Sequence, residues 1–353
     1  MKSVVRFMEA SVSEGTLGKY KLAWGHWGTF TKALGVKPFD SKSCNGNNLA
    51  LLYLAHCAET KGFSPSTVGV QFAGVSFFFR KNNVSDSFFH TQQVEMARSG
   101  LRLLHRKMSP MHTTLTTPVS LEMILRFRSL YKVPTLRQRC TFVACITAFM
   151  FLLRISEYVE MPSNHFLRAC DVLFHTPSGK FNACSVSGIS FSSVFEVTVF
   201  IRSAKNDSLG FGNVLSSKPT PSTDICICKI LFDWALIAGF SSDVAPFCSF
   251  GNQSLRPNDV GVAIKQMAIS FGFPTSTFKP HSLRYGGATT LATLGISDSV
   301  IMKRGRWKSS AFLIYIKFAT SKSHESQVTL SQCLSLPISA ISNWATLQIG
   351  SVF

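Results

Sequence analysis

The stretch KPHSLRYGGATTLATLGISDSVIMKRGRWKSSAFLIYIKF, residues 279 to 318, gathers side chains that a packed helix does not need. His281 and Arg284 stand three apart, which puts them on one helical face, and Pro280 suits a helix start. The pair Gly286 and Gly287 permits close backbone approach. A basic Gly-Arg-Trp turn carries Trp307, whose ring N–H can donate to a phosphate oxygen, and Tyr315 follows it. A phosphodiester could use all of these groups. Its dianionic transition state needs fixed positive charge at the non-bridging oxygens, and arginine offers a planar fork that stays protonated. The leaving oxygen needs a proton donor, and the phosphorus needs a nucleophile. A tyrosine nucleophile stores the energy of the broken linkage in a phosphotyrosine, so the bond can be remade.

Further candidates lie upstream. Arg154, in LLRISEYVE, ends an apolar run, so its head should emerge from apolar walls, and Glu157 follows one turn later. Lys205, in IRSAKNDSLG, sits at a predicted strand end before a glycine-bearing turn, a good place for a mobile cationic donor. Lys180 and Lys218 are alternatives without that setting. Each residue alone says little. An arginine at a helix end is usually structural, His-x-x-Arg recurs by chance, and a tyrosine between Ile314 and Ile316 is usually a core residue with its hydroxyl at the rim. Their order and company carry the reading.

Taken in order, Arg154-x-x-Glu157, Lys205, His281-x-x-Arg284, Gly305-x-Trp307 and Tyr315 resemble the signature of the tyrosine recombinase family of phage-type integrases. The resemblance covers about Ser120 to Phe318. HSLRYGGAT and GRWKSSAFLIYI are most similar to recombinases of eukaryotic mobile elements such as DIRS-type retrotransposons and Cryptons. The resemblance implies that Arg154, His281 and Arg284 hold the scissile phosphate, with Trp307 at a position that is histidine or tryptophan in the family. It implies that Lys205 protonates the leaving 5′-oxygen and that Tyr315 attacks, giving a 3′-phosphotyrosine. Glu157 would support Arg154 or His281 from behind. The implied partner is double-stranded DNA, bound by a homo-tetramer that passes through a Holliday junction, with no metal or nucleotide cofactor. A nuclear location follows if the chain is eukaryotic. Two spacings depart from the family pattern. Trp307 to Tyr315 is 315 − 307 = 8 positions, one shorter than in many bacterial members, and Arg154 to Lys205 is 205 − 154 = 51, longer than usual. Two other readings stay open: a DNA-binding protein of the same fold without catalysis, and a topoisomerase-like nickase.

The elements that must position these residues can be sketched from periodicity. A chain of 353 residues is expected to form two domains. Residues 1–110 read as a helical, DNA-binding domain. Leu17, Tyr20, Trp24, Trp27 and Leu34 recur at helical spacing behind an N-capping Ser13, and Gly18, Gly25 and Gly28 in the same helix allow close packing. Further helices start at NNLALLYLAHCAETKG, stopping at Gly62, at SPSTVGVQFAGVSFFFRKNN and at TQQVEMARSGLRLLHRKM. The last ends in a basic cluster whose Arg98, Arg102, Arg106 and Lys107 are candidate phosphate contacts, with Lys19 and Lys21 beside them; a solvated face complementing the helix dipole is the competing reading. Residues 111–119, rich in Thr and Pro, read as a linker, and 120–353 as the catalytic domain. That domain opens with helices, turns to strands in ACDVLFH, ACSVSGISFSS, VFEVTVFIRSAKND and FGNVLSS, and returns to helices. The expected fold is mainly α with a small antiparallel sheet.

Composition agrees with this chemistry. Lys and Arg outnumber Asp and Glu by 36 to 18, for a net charge of +18, so a polyanionic partner is expected. No clean basic amphipathic helix points to a membrane surface instead. The apolar run from Phe142 to Leu153 is too short to span a bilayer, and the N-terminus lacks the continuous apolar core of a signal peptide, so an intracellular, non-secreted chain is expected. The ten cysteines include no CxxC pair, and Cys226 and Cys228 form a CxC without a second ligand pair, so reduced, mostly buried thiols are expected rather than a metal site.

Overall fold

The computed structural model describes residues 2–39, 46–108, 116–202, 211–221, 225–313 and 316. The chain forms two compact units, Met1–Thr113 and Thr114–Phe353. Among the described residues it is mostly helical, with a four-stranded antiparallel sheet and a two-stranded hairpin, in line with the mainly α fold with a small antiparallel sheet that the sequence predicts.

The first unit contains α1 (Lys2–Ala10), α2 (Glu14–Ala33), α3 (Gly46–Ala55), α4 (Pro65–Lys81) and α5 (Gln92–Met108). Ser13 caps α2 by accepting from the Thr16 N–H, and Ser64 caps α4 by accepting from the Thr67 N–H, with Pro65 at the first helical position. The core is aromatic. Trp27 meets Tyr53 edge-on with ring centroids 4.9 Å apart and Phe89 at 5.4 Å, and its ring N–H donates to the Pro38 carbonyl at 2.9 Å. The close approach of α2 and α4 falls at Gly74, where a Cβ would stand 2.7 Å from Ala23 Cβ. Gly18, Gly25 and Gly28, expected to provide it, have no atom within 4 Å of a would-be Cβ. The small pair that joins the helices is Ala23 with Gly74, and the α2 glycines point elsewhere.

The second unit begins with α6 (Leu121–Ser129) and α7 (Leu136–Met150). Ser120 caps α6, and Thr135 with Gln138 forms a capping box on α7. From Cys140 to Met150 every residue of α7 is buried, so the apolar run is the central helix of the unit. No helix among the described residues is long and apolar enough to cross a membrane. The short α8 (Ile155–Tyr158) follows, then β1 (Val172–Thr176), β2 (Gly179–Asn182), β3 (Glu196–Ile201) and β4 (Asn213–Ser217). These pair antiparallel in the order β2-β1-β3-β4, with Val197, Val199 and Ile201 of β3 turned into the core. After α9 (Ile227–Ala238) come a hairpin of β5 (Ser249–Phe250) and β6 (Gln253–Ser254), then α10 (Pro257–Ser270), α11 (His281–Thr293) and α12 (Asp298–Gly305).

Two expectations change here. Residues 183–193 were expected as a strand and instead make two 3₁₀ turns, Val186–Gly188 and Phe191–Ser193. Their serines bond locally: Ser193 Oγ donates to the Ser190 carbonyl at 2.7 Å, and such bonds compete with a ladder. The strand that follows β1 and pairs with it is β2, from the turn-flanked GKFN. The expected linker, 111–119, lies partly outside the described residues. Its last residues belong to the second unit: the Val119 N–H donates to the Ser282 carbonyl at 3.0 Å, and Val119 is fully buried.

Candidate active site

Helix α7 delivers the site. It ends at Met150, the chain turns through Leu152 at φ +51°, and Arg154 becomes the N-cap of α8. A helix end leaves carbonyls without partners and carries partial negative charge. Arginines from the far end of the chain meet those carbonyls. Arg304 Nη2 donates to the Met150 carbonyl at 3.0 Å, Arg284 Nη1 to Leu152 at 2.5 Å, and Arg306 Nη2 to Leu152 at 3.2 Å.

Arg284 is 1% exposed, and Trp307 lies against it with the guanidinium carbon 4.2 Å from the ring centroid. Its second nitrogen donates to the Gly305 carbonyl. Burial, then the charges of Arg154 and Arg306, push its pKa down to about 9, so it is cationic at neutral pH. Glu157, 2% exposed, is the carboxylate between these cations. Its Oε1 accepts from Arg154 Nη1 at 2.9 Å, and its Oε2 accepts from the Arg154 backbone N–H at 2.8 Å and from Arg306 Nη2 at 2.6 Å. His281 opens to solvent at the start of α11, one turn before Arg284, with its ring edge-on to Tyr285. Desolvation by the protein behind it, then Arg284 and Arg154, hold its pKa below the ordinary histidine value, against the opposing pull of Glu157.

Tight helix packing sets this geometry. A Cβ on Gly286 would stand 1.8 Å from the Val119 carbonyl oxygen, and one on Gly287 would stand 2.1 Å from that of Phe149. Only glycine lets α11 come this close to α7 and bring His281 and Arg284 to its end.

The structure therefore gathers Arg154, Glu157, Arg284 and Trp307 at one place, with His281 at its edge. Glu157 bonds Arg154 and Arg306, not His281. Lys205 and Tyr315 lie outside the described residues; Lys205 falls on the chain between β3 and β4. Lys180 is exposed on β2, and Lys218 follows β4. In the first unit, Arg102, Arg106 and Lys107 are exposed on the last turns of α5, and Lys19 and Lys21 are exposed on α2. Arg98 is partly tucked away, paired with Glu95 at 2.6 Å and stacked on Phe72. Sequence reasoning noted the basic Gly-Arg-Trp turn but gave Arg306 no task. Its backbone has φ +57°, a conformation that sequence associates with glycine or asparagine. Among the described residues no group of three or more His, Cys, Asp or Glu is placed to hold a metal.

A solved structure of XerH site-specific recombinase, a post-cleavage complex with palindromic difH substrate, matches 80% of this chain and 71% of its own, with TM-score 0.50 and 14% identity. The chain has the tyrosine recombinase fold. A Tn1549 transposon integrase solved with transposon right end DNA matches 92% of this chain and 99% of its own, with TM-score 0.49 and 14% identity. Among curated proteins, an integrase/recombinase XerD homolog from Selenomonas ruminantium is 29% identical over 118 residues, which is 32% of this chain and 35% of that relative. The match thus spans about a third of the relative's length. No protein-family model matches the chain.

Proposed function

We propose that the chain is a site-specific DNA recombinase that cleaves and rejoins DNA through a 3′-phosphotyrosine intermediate. The observation that carries this reading is the cluster of Arg154, Arg284 and Trp307 around the end of α7, with His281 at its mouth, on a tyrosine recombinase fold. Arg284, held by two backbone carbonyls, and Arg154, held by Glu157, are already oriented before a phosphate arrives, which is what electrostatic stabilisation of a transition state requires. The solved XerH complex and the curated XerD homolog, both recombinases by name, point the same way.

In the proposed reaction Arg154 and Arg284 bind the non-bridging oxygens, and the Trp307 ring N–H donates to one of them. Tyr315 Oη attacks phosphorus, forming the phosphotyrosine bond and breaking the bond to the 5′-oxygen, which Lys205 protonates. Neutral His281 can take the phenol proton. The 5′-hydroxyl of a partner strand then reverses the chemistry and reseals the duplex. Exposed cations on α2 and α5 would hold flanking phosphates. A tetramer on two duplexes, a nuclear location and an origin in a eukaryotic mobile element belong to this proposal through the motifs HSLRYGGAT and GRWKSSAFLIYI.

Covalent trapping tests it. The chain is incubated with a library of nicked, random-sequence duplexes and run on a denaturing gel beside Tyr315→Phe, and shifted DNA is sequenced. The expected result is a protein–DNA band that disappears with Tyr315→Phe. A band that survives the substitution names another nucleophile. Native-gel retardation without any covalent band would make the chain a DNA-binding protein on this fold.

A further inference from the structure

Arg306 takes no part in the reaction just described, yet its surroundings are those of a working group. Its backbone lies at φ +57°, where side chains other than glycine, asparagine and aspartate are uncommon. Its guanidinium is nearly enclosed, with 8% of the residue exposed. It bonds Glu157 Oε2 at 2.6 Å, the Leu152 carbonyl at 3.2 Å and the Arg304 carbonyl at 3.2 Å, while its buried Nε–H has no partner among the described residues. Burial lowers its pKa first, and Glu157 pulls it back up. A cation present only for solubility would not be placed this way.

We propose that Arg306 is a positioning residue for strand cleavage, acting through Glu157 and the Leu152 carbonyl. This inference rests on the reading of the chain as a DNA strand-breaking enzyme. Glu157 has two oxygens and Arg154 has a fork that could take both. A buried carboxylate left with Arg154 alone would draw that fork into a bidentate pair and away from a phosphate. Arg306 occupies Oε2, so Arg154 meets Glu157 through one side-chain nitrogen only, at 2.9 Å. Among the described residues no hydrogen bond engages Arg154 Nε or Nη2, which leaves them for a phosphate.

Leu152 ties Arg306 to Arg284. Its carbonyl accepts from both Arg284 at 2.5 Å and Arg306 at 3.2 Å, so the two guanidiniums are registered on one atom. The backbone at Arg306 contributes as well. Residue 306 immediately precedes Trp307, whose ring covers Arg284, so the left-handed turn at 306 sets where that ring lies.

The test uses the full chain and the DNA that wild type traps. Arg306→Gly accepts the positive φ without strain and removes the guanidinium, and Arg306→Lys keeps the charge but loses the fork. Single-turnover phosphotyrosine formation is measured against DNA concentration, with and without methylguanidinium. In Arg306→Gly the rate should fall about 100-fold, the size of effect a misplaced catalytic group produces, with half-saturation by DNA unchanged. Methylguanidinium should restore part of that rate and leave wild type unaffected. Arg306→Lys should stay slow, because an ammonium cannot join Glu157 and two carbonyls at once. A wild-type rate in Arg306→Gly overturns the inference, as does a loss confined to DNA half-saturation or one that methylguanidinium cannot relieve. If Arg306→Gly does not fold, a folded Arg306→Lys with the wild-type rate overturns it equally. Wild type that traps no DNA overturns the functional reading and this inference with it, whereas wild type and Arg306→Gly trapping alike overturns this inference alone.

Discussion

His281 illustrates how position sets a residue's chemistry. Desolvation and the neighbouring guanidiniums of Arg284 and Arg154 favour its neutral form, so its pKa lies below the ordinary value of 6.5. The neutral ring is then the resting form at pH 7 and persists into mildly acidic solution. If His281 takes the phenol proton, phosphotyrosine formation should hold steady through neutral pH. It should fall only as the pH drops past the lowered pKa, with a midpoint below 6.5. A pH–rate profile of single-turnover trapping checks this, and the acid limb should vanish in His281→Gln along with most of the rate. Side-chain types and order singled out Arg154, His281, Arg284 and Trp307 in the sequence, and the structure brings them to one end of α7. Arg306 was not legible. Its setting is defined by which oxygen of Glu157 faces it and by a backbone angle that no residue type near it announces.

Helix starts were readable, because capping is local chemistry. Ser13, read as an N-cap, accepts the Thr16 N–H, and Ser64 and Ser120 cap α4 and α6 in the same way. The segment 183–193 was misread because its apolar residues are interspersed with serines that close turns on themselves. Glycines show the same division. Those at 286 and 287 read correctly as points of backbone approach, and those in α2 did not, because which face a partner helix covers is a tertiary fact. This contrast predicts opposite effects of one substitution. Gly286→Ala places a methyl group against the fixed Val119 carbonyl and should destabilise the protein by roughly 3 kcal/mol. Gly18→Ala meets nothing and should stabilise by about 0.5–1 kcal/mol through helix propensity. Urea denaturation followed by circular dichroism measures both, and a neutral Gly286→Ala would contradict the packing described.

For the molecule as a whole, charge is the main determinant of behaviour. A net charge of +18 arises as much from scarce acids as from abundant bases, so mutual repulsion has few internal counterions to relieve it. Binding to duplex DNA should therefore release many counterions. Between 50 and 200 mM salt the affinity should fall on the order of 10³-fold or more, as fluorescence anisotropy with a labelled duplex can measure. A flat salt dependence would argue against phosphate contacts as the source of affinity. Composition alone carries the expectation of a polyanionic partner, while the two-unit division needed the packing of residues 116–119 to locate its edge. That packing has a mechanical meaning. Within the second unit, residues 116–119 are held by the Thr117 N–H on the Thr277 carbonyl and the Val119 N–H on that of Ser282, immediately around the start of α11. Val119 then abuts Gly286 with no side chain between them to yield. Residues 117 and 119 thus cannot shift without disturbing the start of the helix that bears His281 and Arg284, because the same few bonds fix both.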